Sequence, residues 1–130
     1  METVLGKFAP SIYALLRIVG GLLFAQHGAQ KVLGAFGGVP PEVPAFIKYG
    51  AGSIELVGGL LIAVGLFAGL VAFISSGEMA VAYFMAHAGK GLFPIQNGGE
   101  LAVLYCFVFL YIAARGSRAW SVDAAMRGKR

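Results

Sequence analysis

The polar side chains of this 130-residue sequence gather at the ends of its apolar runs. His27, Lys31, His87, Asn97 and Glu100 stand there with Gln26, Gln30, Lys90 and Gln96, while Arg17, Glu55 and Glu78 lie inside apolar runs. Histidines, amides and acids at one level can hold a small polar ligand by hydrogen bonds. An acid within hydrocarbon is a candidate for binding a ligand or relaying a proton, and Glu55, flanked by Gly52, Gly58 and Gly59, is the foremost one. With the outer-end residues it would line a shallow pocket open to the non-cytoplasmic face. Two histidines plus carboxylates raise the question of zinc, but no HxxxH or similarly clustered spacing exists, so no metal site is expected. Phosphate loops, nucleophile elbows and dinucleotide fingerprints are absent, and no catalytic residue can be named.

Several of these residues have plainer explanations. "NGGE" places Glu100 three residues after Asn97, the spacing of a helix capping box. Lys31, Lys48 and Lys90 can reach headgroups from helix ends. His87 follows Glu78 by nine residues, opposite it on an ideal helix, so the two share a site only if the helix ends before "AHAGKG".

The elements that must position these groups follow from composition. Hydrophobic residues make up 58% of the chain and charged residues 12%, with a mean hydropathy of +0.81. A soluble domain carries about 25% charged residues, so this surface faces lipid. Four segments approach the roughly 20 apolar residues of a membrane span, at about 10–26, 49–66, 70–86 and 99–115. The fold class predicted is an all-α, four-transmembrane-helix bundle, a single domain over residues 1–130. The tail, 116–130, is expected on the cytoplasmic membrane surface, and the first helix is read as retained rather than cleaved. Fusing the second and third spans would leave three crossings. With four, Lys7, Arg115, Arg118, Arg127, Lys129 and Arg130 share one side against Lys31, Lys48 and Lys90 on the other, which puts both termini in the cytoplasm.

The net charge of +4 is spread over helix ends and tail, which suits anionic lipid headgroups and not nucleic acid. Cys106 is the single cysteine, so neither an internal disulfide nor a CxxC dithiol is available. "RIVGGLLFA" (17–25) echoes "ELVGGLLIA" (55–63), a hint of inverted repeats or a chance likeness between Gly/Leu-rich helices. Gly65 and Gly69 form a small-xxx-small pair, from which a homo-oligomer is expected.

A charge in hydrocarbon costs at least about 2.5 kcal/mol, so Arg17 is expected to face the bundle interior with a partner. Arg17, Gly20, Gly21, Phe24, Gly28 and Lys31 form one helical stripe. At about 1.5 Å per residue, Arg17 lies roughly 10 Å and Glu78 about 12 Å above the inner boundary, with Glu55 near 20 Å. Arg17–Glu78 is therefore the expected intramembrane ion pair, with Arg17–Glu55 the alternative; the first leaves Glu55 without a cation at its own depth.

"LLRIVGGLLFAQHGAQKVLG", "GSIELVGGLLIAVGL" and "FPIQNGGELAVLYCFVFLYIAARGSRAWSVDAAM" together resemble the DoxX family of small four-helix bacterial membrane proteins over nearly the whole chain. The resemblance carries over Arg17, His27, Gly28, Lys31, Glu55, Asn97, Gly98, Glu100 and Asp123. One departure is the lack of a basic residue after the second span, in "GLFAGLVA". The family takes its name from a relative of a membrane-bound thiosulfate:quinone oxidoreductase, and another member is described as joining a superoxide dismutase and a sulfurtransferase in a stress complex. The resemblance thus implies a multi-pass inner-membrane subunit of a redox or thiol/oxidative-stress system, with quinone between its helices near Glu55, His27 and Lys31. The sequence holds no flavin, haem or iron–sulfur ligand set, so electrons would come from a redox partner protein. The competing expectations are a small-solute or proton-coupled transporter and a membrane scaffold without ligand.

Overall fold

The computed structural model describes residues 1–128; Lys129 and Arg130, two of the basic residues expected at the cytoplasmic side, lie outside the described residues. One turn at Glu2–Leu5 and a 3-10 turn at Gly6–Phe8 lead into α1 (Ala9–Val32), with Pro10 in its first turn, where a missing N–H costs nothing. After a Pro/Gly-rich loop, a π-helical stretch Phe46–Ala51 runs into α2 (Gly52–Val64). Then come α3 (Ala68–Ala86), a turn Pro94–Asn97, α4 (Glu100–Arg115) and a short α5 (Val122–Gly128). The described residues contain no strand.

α2 and α3 are separate helices. Gly65 closes α2 in the left-handed conformation (φ 75°), its N–H shared between the Leu61 and Ile62 carbonyls, and Phe67 is also left-handed. Three helical segments, Glu2–Val32, Phe46–Val64 and Ala68–Lys90, are long and apolar enough to cross a bilayer. α4, at 16 residues, is shorter.

Packing follows the small residues. α1 lies closely on α2, α3 on α4 and α2 on α3, whereas α1 and α4 touch only lightly. A Cβ on Gly21 would stand 2.6 Å from the Gly59 carbonyl oxygen, and Gly28 has the Leu56 backbone against it. Only glycine permits this backbone-to-backbone approach. Of the two glycines above Arg17, Gly21 thus admits α2, while Gly20 faces Val108 with room to spare. Phe24, Ile62, Phe109 and Ile112 are fully buried, while Leu15, Leu22, Phe73, Leu104 and Phe107 point outward. A polar interior stripe under an apolar exterior marks a helical membrane protein.

The segment after α4 is docked onto one end of the bundle. The Asp123 carboxylate accepts the Phe67 N–H (2.8 Å) and the Ser117 hydroxyl (2.6 Å), and the Asp123 N–H donates to the Gly65 carbonyl (3.1 Å). Gly65 is buried against Ser121, and Gly69 faces the Ala113 carbonyl.

Candidate functional site

The site begins with the length of α1. The helix continues to Val32, six residues past the end expected, and so carries His27 and Lys31 one turn apart on the face that meets α2. Close contact at Gly28 and Gly52 brings α2 alongside, and the Lys31 Nζ donates to Glu55 Oε1 at 2.5 Å. Glu55 is 1% exposed and Lys31 21%, and theirs is the one ion pair among the described residues.

Glu78 on α3 lines the same space beside Glu55. The α2–α3 hairpin explains this: Glu55 precedes Gly65 by ten residues and Glu78 follows Ala68 by ten, so both stand about 15 Å from the turn. Glu55 Oε2 and Glu78 Oε1 are buried with no hydrogen-bond partner among the described residues. Buried polar atoms are almost always paired, and the two carboxyls lie within hydrogen-bonding reach of each other, so one proton shared between them satisfies both oxygens.

These groups border a cavity of about 570 Å³. His27, Lys31, Glu55, Glu78, His87 and Tyr105 are its polar or amphipathic members, and its walls are mainly apolar, with Phe24, Phe46, Met79, Met85 and Leu101 among them. Tyr105 stacks on Phe109 with ring centres 5.4 Å apart and meets the edge of His27 at 6.0 Å. α3 ends at Ala86, before "HAGKG", which frees His87 to turn into the cavity while its Nδ1 contacts the Asn97 carbonyl at 3.1 Å. The helix includes Ala86, one residue past the limit expected, and His87 shares the cavity with Glu78 nonetheless.

Three expectations are corrected. Arg17 pairs with neither Glu78 nor Glu55. Its Nη2 donates to the Trp120 carbonyl at 2.6 Å and the Ala119 carbonyl at 3.3 Å, in the docked tail. Glu55 is not left without a cation, because the longer α1 delivers Lys31. Asn97 and Glu100 do not line the cavity. Asn97 is buried and fastens the rim, its Nδ2 donating to Tyr83 Oη (2.9 Å) and the Gly91 carbonyl (3.1 Å) and its Oδ1 accepting the Gly99 N–H (2.8 Å). Glu100 is exposed, and Gly99 caps α4 without any side-chain bond, so the reciprocal capping box does not form.

Sequence reasoning also missed Tyr105 as a wall of the site. A polar-tipped aromatic one turn before Phe109, inside an apolar helix, was the available signal.

Fold and site together define a class: a small helical membrane protein with an ion pair and a second acid buried at a largely apolar cavity. The chain belongs to the DoxX family, whose pattern matches residues 12–88. It is 46% identical to an uncharacterized protein of Haemophilus influenzae, over 92% of this chain and 93% of that one. It is 28% identical to a Bacillus subtilis protein named "Putative oxidoreductase CatD", over 89% of this chain and 88% of that one. No solved structure matches the chain.

Proposed function

We propose that this protein is a multi-pass subunit of the bacterial inner membrane that binds a quinone head group in its cavity, as part of a redox or thiol/oxidative-stress system. The observation that carries the reading is the Lys31–Glu55 pair beside Glu78, a cluster of two carboxyls and one ammonium bordering a mainly apolar space. A quinone ring is flat and apolar with a polar atom at each end, so it suits such walls and such poles. A quinone supplies two-electron, two-proton chemistry when bound. Lys31 and His27 would donate to ring oxygens, and the two carboxyls would hold and move protons there. Two carboxyls to one ammonium give the cluster one net negative charge when all are ionised, so one added proton leaves it neutral. Electrons would come from a partner protein, and the name of the Bacillus relative supports a redox setting.

The same reading takes α4 as a fourth crossing and both termini as cytoplasmic. Lys7, Arg115, Arg118 and Arg127 favour this orientation. At about 24 Å, α4 is short for a 30 Å core, and local thinning with Arg115 reaching outward offsets the mismatch. Membrane-embedded acids also favour a second reading, proton-coupled transport of a small solute.

The test is to purify the protein in mild detergent, extract with organic solvent and quantify quinone by mass spectrometry. Near-stoichiometric quinone in wild type, lost in Glu55→Gln and His27→Ala, is the expected result. No quinone in wild type, with all proteins folded, would refute the reading, and solute uptake into liposomes would then support transport.

A further inference from the structure

The cavity adjoins a second, apolar space. A groove of about 470 Å³ runs between α1 and α4, with Leu16, Val19 and Gly20 along one side and Leu104 and Val108 along the other. It is the seam left where the two backbones stand apart, bridged on its inner side by Phe24 against Tyr105 and Phe109. Leu101 and Tyr105 line both the groove and the cavity, so these two side chains form the partition between the two spaces. Polar atoms collect in the cavity, whereas the groove has none but those of Tyr105 and the backbone. Val19 is 51% exposed, so the groove opens directly onto lipid. Its depth comes from Gly20, whose Cβ position has no neighbour nearer than Val108 at 4.0 Å.

We propose that the groove seats the hydrocarbon chain of the ligand whose ring occupies the cavity. The inference rests on the head-group reading and adds a ligand class to it: a ring compound bearing a long aliphatic or prenyl chain. Such a molecule enters sideways from the bilayer, and its chain leaves lipid only for another apolar surface. Tyr105 marks the point where chain becomes ring. The same groove could instead hold an acyl chain of a bilayer lipid, a source the experiment separates.

The test uses the full chain in nanodiscs and equilibrium binding of two probes: a methoxylated benzoquinone without a chain, and the same ring with a decyl chain. The variants are Gly20→Phe and Leu16→Trp, which fill the groove and replace no residue that lines the cavity. Wild type and variants are compared in identical nanodiscs, so partition of the decyl probe into lipid cancels. Both variants should bind the chainless ring as wild type does, which also reports that they are folded. Each should bind the decyl probe at least about tenfold more weakly than wild type. An unchanged decyl affinity in both variants, with the chainless ring still bound, would overturn the inference and leave the head-group reading standing. Displacement of the decyl probe by added phospholipid, together with undiminished decyl binding in Glu55→Gln, would assign the groove to a lipid and also overturn it. Failure of wild type to bind either probe would remove the head-group reading and this inference with it.

Discussion

Replacing Lys31 with methionine leaves Glu55 with no cation in the cavity. Removing one partner of a buried pair costs about 3–5 kcal/mol, because the other charge stays behind in low dielectric. Lys31 is one-fifth exposed, which places the cost near the lower bound, at about 3 kcal/mol. The converse change, Glu55→Gln, strands the lysine instead. Its ammonium sits on a flexible stem near a helix end and can swing to headgroups, so the loss should be only about 1 kcal/mol. The double variant Lys31→Met/Glu55→Gln removes both charges and should recover about 2 kcal/mol relative to the sum of the singles. Equilibrium unfolding by SDS in mixed micelles, followed by circular dichroism, measures all four proteins. Equal losses in the two singles, with a double equal to their sum, would refute both the pairing and the asymmetry assigned to burial.

Gly21→Val drives a side chain into the Gly59 carbonyl and should cost about 1–3 kcal/mol in the same unfolding assay. Gly77→Ala, where nothing lies within 4 Å of the added carbon, should instead gain about 0.5–1 kcal/mol from helix propensity. Arg17→Met removes the donor that holds the Ala119 and Trp120 carbonyls, and Asp123→Ala frees the Phe67 and Ser117 donors. Each should expose the 117–128 segment to limited proteolysis at least about tenfold faster than wild type, while the helices stay protected. Unchanged cleavage in both would refute the docking of the tail.

Much of the bundle is legible in the sequence because hydrophobic runs and glycine spacing report directly on lipid and on helix contact. The interior stripe from Arg17 to Lys31 reads correctly, whereas the limit set for α3 is one residue too short, since His87 reaches the cavity from a helix that includes Ala86. The partner of Arg17 does not, for a physical reason: it is backbone. A carbonyl more than a hundred residues away leaves no residue type to recognise, so an acid at similar depth looks like the better match. The Glu55–Glu78 proximity was within reach, given the tight turn between the two helices. Counting from that shared turn places the acids level, whereas estimating each from its own boundary separates them by about 8 Å. The full length of α1 was harder to see, since Gln26, His27, Gln30 and Lys31 are polar residues that continue a helix as readily as they end one.

The docked tail bears on which reading of the cavity is physically economical. Arg118 and Trp120 both adopt left-handed backbone (φ 56°), a conformation costing non-glycine residues of order 1 kcal/mol or more each. Arg17, fully buried, holds the two carbonyls that follow Arg118, and Asp123 ties the same segment to the α2–α3 turn. That end of the bundle is therefore closed by several mutually dependent bonds around a buried charge. Alternating access would require it to open, releasing the Arg17 guanidinium from its only hydrogen-bond acceptors among the described residues. A ligand arriving from the membrane needs no such rearrangement, because only the Leu101 and Tyr105 side chains stand between the α1–α4 seam and the cavity. Locking the tail with a reducible bifunctional cross-linker between cysteines at the exposed Phe67 and Val122 positions, with Cys106 replaced by serine, separates the two readings. Quinone content that survives the lock is expected. Solute uptake that vanishes with it and returns on reduction would show that opening this end belongs to the working cycle, and would refute lateral entry as the sole route.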